Sequence, residues 1–170
     1  MQESIINLTK DKNMSDVLCG KVWFGAFEDV VCVANFDMPN RSTIGPMAKC
    51  EEIYRATQNI MDSWSLTAEQ LKEEYGDTEK KDGASWITPT NMIGNRGHRS
   101  MSVGDVVQFG RDDDKKTYWA VAGFGFTELT YDEYSRWCDT DSRDRDMFVR
   151  DIVKAKEVEE LIAKEEALVN

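Results

Sequence analysis

The chain has 170 residues and a formal net charge of −11, from 32 acidic and 21 basic side chains. A chain of this length buries roughly 70% of its unfolded surface, and five Trp, seven Phe and five Tyr provide large core side chains, which excludes a disordered acidic polymer. The charge disfavours direct binding to nucleic acid, and no stretch approaches the ~20 apolar residues of a membrane helix.

Two apolar runs give the first strong pattern. Lys21–Phe27 and Val30–Phe36 are rich in β-branched and aromatic residues, which predicts a hairpin that turns near Glu28 and Asp29. One continuous strand with a bulge is the alternative. After a Pro- and Gly-containing turn, apolar residues recur three and four positions apart over Pro46–Trp64, which predicts an amphipathic helix.

The middle of the chain combines a short helix with a long loop. Thr67 and Gln70 form a Thr-x-x-Gln capping box, which predicts a second helix ending near Gly76. Residues 77–83 are expected to form a charged loop, and residues 85–88 a short strand. Residues 89–97 carry Pro, Asn and Gly and are typical of another loop.

A second hairpin is predicted further on. Asp105–Phe109 and Thr117–Ala122 are strong strand patterns, separated by a charged turn at residues 110–116. The two glycines of Gly123–Phe126 indicate a bulge or a close backbone approach as the second strand continues.

Two helices are predicted at the C-terminal end. Thr130 and Glu133 repeat the capping signature and predict a short helix over Tyr131–Cys138. Apolar residues at helical spacing among alternating charges predict a long helix over residues 144–168, with one apolar face that packs on the domain or holds a partner.

These elements predict an α+β fold, in which a small antiparallel sheet made from two hairpins is packed by helices. We expect a single domain over residues 1–170, with residues 1–15 flexible and residues 144–168 forming the C-terminal helix. No internal repeat is visible.

The cysteines and the N-terminal sequence indicate a cytoplasmic location. Cys19, Cys32, Cys50 and Cys138 are far apart, without a Cys-x-x-Cys pair, and His98 is the only histidine, so we expect reduced structural thiols and no metal or cofactor. The N-terminal residues lack a basic region followed by an apolar core, so neither secretion nor membrane insertion is indicated.

The loop around the single histidine is the first candidate site. His98 lies between Arg96 and Arg99, beside Ser100 and Ser102, which brings together a base, cations and nucleophiles. No serine lies in a Gly-x-Ser-x-Gly motif, and a histidine in a polar loop is the simpler interpretation. The two arginines could bind an anion or an acidic surface, or pair with the chain's own carboxylates.

The acidic triplet Asp112, Asp113 and Asp114 is the second candidate. It could offer oxygens to a hard cation, but it lacks the spaced ligands of a calcium loop and precedes two lysines. A solvated hairpin tip is the simpler interpretation.

Two segments resemble a known family. The run from His98 to Val107, His-Arg-Ser-Met-Ser-Val-Gly-Asp-Val-Val, and the run from Tyr118 to Phe126, Tyr-Trp-Ala-Val-Ala-Gly-Phe-Gly-Phe, are similar to the YodL-like domain of phage and mobile-element proteins. Met101 stands where that group usually has leucine. The resemblance implies a phage or plasmid origin and a nonenzymatic accessory protein that helps an incoming element resist host defence. The motif itself is interpreted structurally, with Ser102 and Asp105 bonding amides around Gly104.

The leading hypothesis is therefore an acidic, nonenzymatic protein of the host cytoplasm that binds and inhibits a host or phage protein with a basic surface. A defence nuclease is the partner we favour, as in anti-restriction or anti-CRISPR proteins that imitate DNA. The candidate interaction residues are Arg96, His98, Arg99, Asp112, Asp113, Asp114, Glu159 and Glu160. A homo-oligomer formed through the C-terminal helix is also considered.

Two alternatives remain open. The first is a small enzyme that acts on a nucleotide or another phosphorylated molecule through the loop of Arg96, His98 and Arg99. The second is a structural component of the phage particle.

Overall fold

A computed structural model describes residues 17–41, 43–60, 63–76, 84–92, 97–110 and 115–169. Several predictions from the sequence lie outside these ranges. They are the flexible segment at residues 1–15, the charged loop at 77–83, and the candidate interaction residues Arg96 and Asp112 to Asp114.

Six strands of the described residues form one antiparallel sheet in the order β3-β2-β1-β4-β5-β6. The strands are β1 (Val17–Phe24), β2 (Val31–Pro39), β3 (Ile87–Pro89), β4 (Val106–Phe109), β5 (Thr117–Val121) and β6 (Phe126–Leu129). The helices are α1 (Pro46–Ala56), α2 (Ala68–Tyr75), α3 (Tyr131–Asp139) and α4 (Arg145–Val169). The predicted α+β class with a long C-terminal helix is confirmed.

The sheet lies between helices on both of its faces. Successive residues of a strand point to opposite faces, and the adjacent residues Val106 and Val107 of β4 are both fully buried. Val107 belongs to a core that includes Cys50 and Ile53 of α1. Val106 belongs to a second core, which α3 and α4 supply with Trp137, Val149 and Ile152.

Both predicted hairpins are confirmed. The first pairs β1 with β2 and has a register shift between Val22 and Trp23, so the alternative of one continuous strand is wrong. The second pairs β4 with β5. The sheet is larger than two hairpins because Gly125, with a φ of 67°, reverses the chain into β6, and because β3 pairs with β2. The expectation that residues 123–126 continue the second strand with a bulge or a close backbone approach is wrong about the direction of the chain, which reverses here into β6.

Helix α1 ends at Ala56, well short of the predicted end at Trp64. The hydroxyl of Thr57 donates to the carbonyls of Ile53 (3.1 Å) and Tyr54 (3.0 Å), and the side chain of Asn59 accepts from the amide of Trp64 (3.0 Å). These side-chain bonds offer the backbone a local alternative to the helix. Trp64 packs in the same core as Cys50 and Ile53 of α1, which is why apolar residues recur past Ala56 although the helix ends there.

The capping predictions are confirmed at both helices. Thr67 and Gln70 form a reciprocal capping box at the start of α2, and Thr130 and Glu133 form one at the start of α3. Each box satisfies two N–H groups that have no partner inside the helix.

Glu133 should make the stability of α3 depend on pH. Burial raises its pKa, but the N–H of Thr130 and the nearby charge of Lys156 outweigh this effect, so the pKa lies below its ordinary value. A lowered carboxyl pKa stabilises the fold above the unfolded-state pKa, and this contribution is lost as the pH falls through the folded-state pKa. The free energy of unfolding measured in urea should therefore be higher for the wild type than for Glu133→Gln at neutral pH. The two free energies should converge in acid. A difference that grows in acid would contradict this assignment.

Helix α4 is the longest element, with 25 residues. Its first half packs on the sheet through Val149 and Ile152, which are 0% and 7% exposed. No helix within the described ranges has both the length and the apolar character required to cross a bilayer.

Candidate functional site

The candidate loop before β4 is organised around the carboxylate of Asp105. This side chain is fully buried and accepts hydrogen bonds from the amides of Gly25 (2.9 Å), Ala26 (3.1 Å) and Ser102 (2.8 Å). The first two amides lie in the turn between β1 and β2. Asp105 therefore fastens that turn to the start of β4.

The motif preceding β4 is structural, as the sequence suggested. Gly104 has a φ of 94°, a backbone conformation that favours glycine, and its carbonyl accepts from the indole N–H of Trp137 (2.8 Å). Asp105 bonds the amide of Ser102, as predicted. The hydroxyl of Ser102 donates instead to the carbonyl of Ser100 (3.3 Å), so the prediction for this side chain is wrong.

Arg99 pairs with the chain's own carboxylates, one of the two alternatives left open by the sequence. Its two terminal nitrogens bond both oxygens of Asp105 at 2.6 and 2.8 Å, and its Nε donates to Glu28 at 3.0 Å. The guanidinium lies over the rings of Phe24 and Phe27, 4.1 and 5.2 Å from their centroids. Burial lowers the pKa of Arg99, but Asp105 and Glu28 together raise it above its ordinary value.

His98 is held by the fold on several sides. Its Nε2 lies 2.7 Å from the carbonyl oxygen of Thr90; because a carbonyl only accepts, this bond requires the proton on Nε2. Its amide donates to the hydroxyl of Ser65 (2.7 Å), and its ring stacks on Trp64 with 5.7 Å between centroids. Nε2 is thus engaged as a donor to the main chain. The hypothesis of an enzyme using this loop stays a prediction.

Arg145 stabilises the fold, a role that no pattern in the sequence predicted. It begins α4, is 4% exposed and donates to four main-chain carbonyls, those of Gly25 (2.7 Å), Glu28 (2.6 Å), Trp137 (3.1 Å) and Cys138 (3.3 Å). In the sequence it is one of several charged residues in a polar run, and no pattern distinguishes it from its exposed neighbours.

Arg99, Asp105 and Arg145 together form a unit that we call the turn clamp. Asp105 bonds the N–H groups of the turn between β1 and β2, and Arg145 bonds its carbonyls. The turn is thereby fixed from both sides, and α4 is fastened to the sheet at its first residue. Phe27 projects from the clamped turn and is 71% exposed.

The second half of α4 is the most exposed candidate surface. Every side chain from residue 157 to 168 is exposed. At 1.5 Å per residue this half extends about 18 Å beyond its last packed turn. Glu159 and Glu160, which were predicted as interaction residues, lie here. They are not near His98 and Arg99, which lie in the loop before β4. We call residues 157–168 the distal segment.

The distal segment has two different sides. Glu157, Glu160 and Lys164 are spaced three and four residues apart and form a charged side, with a 3.9 Å ion pair between Glu160 and Lys164. An apolar stripe lies elsewhere on the helix, where Val158, Leu161 and Ile162 are 54%, 60% and 50% exposed. The predicted apolar face of the C-terminal helix is therefore at least partly free of the domain.

A separate open cleft of about 440 Å³ lies between α1 and the turn joining β5 to β6. Its lining includes Tyr54 and Phe126, and an ion pair of 3.6 Å between Glu51 and Arg55 borders it. Of the candidate interaction residues that the structure describes, which are His98, Arg99, Glu159 and Glu160, none lines this cleft. Within the described ranges, no three His, Cys, Asp or Glu side chains are grouped so as to hold a metal ion.

No protein-family model, curated protein or solved structure matches this chain significantly.

Proposed function

We propose that this chain is a nonenzymatic, phage-type accessory protein that binds a basic host or viral protein in the host cytoplasm. The observation that carries the proposal is the distal segment of α4, a fully exposed helix in which acidic side chains alternate with apolar ones. The acidic side chains of such a helix offer charge complementarity to a basic partner.

The charge distribution supports a basic partner. The distal segment carries five glutamates, Glu157, Glu159, Glu160, Glu165 and Glu166, against the single lysine Lys164. The whole chain has a net charge of −11. A field of this sign speeds encounter with a basic surface and repels nucleic acid. A DNA-binding groove of a defence nuclease is the partner surface that we favour, since an acidic helix can occupy a groove that normally holds phosphates.

The phage-type part of the proposal is supported by the resemblance of residues 98–107 and 118–126 to the YodL-like domain. The geometry of the loop agrees with a structural use of this motif, because Arg99, Gly104 and Asp105 all serve the turn clamp or the start of β4. We therefore place the contact surface on α4 and not on the motif.

The test is a capture experiment on a lysate of a bacterial host of the proposed phage-type element. The immobilised chain should retain a basic protein at about 0.05 M salt and release it at about 0.5 M, where charges more than ~4 Å apart are screened. Glu159→Gln/Glu160→Gln should weaken retention several-fold. Asp29→Asn/Asp139→Asn, which removes the same charge from exposed residues elsewhere, should have little effect.

Competition with duplex DNA identifies the favoured partner surface. If the retained protein is a nuclease bound through its groove, DNA should displace it. Retention that is unchanged across the salt series, or equally weakened by both double variants, would contradict a contact made by the acidic distal segment.

A further inference from the structure

We propose that the apolar stripe of α4 pairs with the stripe of a second copy of this chain in an antiparallel arrangement. The stripe comprises Ala155, Val158, Leu161 and Ile162, with Leu168 continuing it one heptad after Leu161. The proposal goes beyond the function proposed above because it concerns a different side of the helix from Glu157 and Glu160.

The stripe lies away from the body of the protein. The side of α4 that packs on the domain contains Val149, Ile152 and Lys156, and Lys156 bonds the carbonyl of Glu128 on β6. At 100° per residue, the line through Val158 and Ile162 is turned by well over a right angle from the line through Val149 and Lys156. A second helix can therefore lie along the stripe without displacing a contact that α4 makes with its own sheet.

The stripe is apolar enough to favour packing against another apolar surface. Val158, Leu161, Ile162 and Leu168 are 54%, 60%, 50% and 87% exposed, and they recur at spacings of three, one and six residues along successive turns. Exposed apolar side chains are unremarkable one at a time, but a row along one helix is the pattern by which helices associate.

The charges along the same stripe favour pairing with the α4 helix of a second copy that runs in the opposite direction. Lys154 borders the stripe near the body of the protein, and Glu165 lies on it towards the far end; both side chains are exposed. Antiparallel pairing brings Lys154 of each copy close to Glu165 of the other. Parallel pairing would place the two Glu165 side chains opposite each other, which is unfavourable.

One register satisfies the apolar and charged contacts together. Placing Val158 opposite Ile162 of the second copy brings the two Leu161 side chains together near the two-fold axis. The same register places Ala155, a small residue, opposite Glu165 of the second copy. Each contact away from the axis then occurs twice, as in any interface between identical surfaces.

The interface covers only about three helical turns, which falls at the small end of protein interfaces, and we expect a dissociation constant on the order of 10 μM or weaker. The like charge of −11 on each copy opposes the association. Screening this repulsion should make the dimer tighter as salt is raised. Binding to a basic partner should weaken under the same change, so the two proposals fail independently.

Sedimentation equilibrium of the full chain over a range of concentrations tests the proposal. The wild type should change from monomer to dimer, and Leu161→Lys should weaken the dimer at least tenfold because both copies meet at this residue. Lys164→Ala, on the charged side, is the matched control and should behave as the wild type. Circular dichroism should show all three chains equally folded, since neither side chain is buried.

Exchanging the two charges tests the direction of pairing. Lys154→Glu and Glu165→Lys should each weaken the dimer, and the double exchange within one chain should restore it. The two residues are eleven positions apart on one helix, so restoration reports a contact between copies. A wild-type chain that stays monomeric at all concentrations would overturn the proposal. A dimer that Leu161→Lys does not weaken would also overturn it. A monomeric chain in which Leu161→Lys abolishes capture of the basic partner would do the same.

Discussion

Replacing Asp105 by asparagine should lower the free energy of unfolding by about 3–5 kcal/mol, the usual effect of removing one partner from a buried ion pair. The carboxylate is fully buried and accepts three main-chain and two guanidinium hydrogen bonds. Asparagine has the same shape but presents an NH₂ group to donors, and it leaves the guanidinium of Arg99 without its closest counter-charge.

Urea unfolding monitored by circular dichroism measures this change. Glu51→Gln is the control, because Glu51 forms an exposed ion pair with Arg55 at 3.6 Å and such pairs contribute only about 0–1 kcal/mol. An Asp105→Asn chain as stable as the wild type would show that the turn clamp does not hold the fold together.

Replacing Arg145 by methionine should have a comparable effect, a loss of about 3 kcal/mol or more. Methionine fills much of the same space but donates no hydrogen bond, so the four carbonyls that Arg145 binds lose a charged donor in a buried environment. The loss should also loosen the start of α4, since Arg145 is its first residue.

The matched control is Arg150→Met on the same helix. Arg150 is 60% exposed and pairs with Asp146 at 3.4 Å, so its replacement should change the free energy of unfolding by no more than about 0.5 kcal/mol. Hydrogen exchange should show faster exchange at the start of α4 in Arg145→Met only. Equal effects of the two substitutions would contradict the assignment of Arg145 to the turn clamp.

The elements that could be predicted from the sequence are those with a local physical cause. The hairpin strands follow from runs of β-branched and aromatic residues. Helices α2 and α3 follow from capping boxes, each of which lies within four consecutive residues. The length of α4 follows from uninterrupted helical spacing. The early end of α1 could not be predicted, because apolar residues recur at the same spacing on both sides of Thr57.

The candidate site was predicted less completely because its contacts are distant in the sequence. The ion pair between Arg99 and Asp105 spans six residues. The sequence predicted only that Arg99 could pair with a carboxylate of the same chain, without indicating which one. The bonds from Arg145 to Gly25 and Glu28 span 120 and 117 residues, and nothing local to Arg145 indicates them. Glu159 and Glu160 were predicted from charge alone, whereas their exposure on a helix leading away from the sheet is a property of the packing.

Calorimetric titration of the captured partner into two variants tests the central claim most directly. If the distal segment of α4 is the contact surface and the loop of His98 serves the fold, Glu159→Gln/Glu160→Gln should weaken binding several-fold, and His98→Gln should bind like the wild type. Full affinity in the α4 variant together with weakened binding in a folded His98→Gln chain would contradict the account.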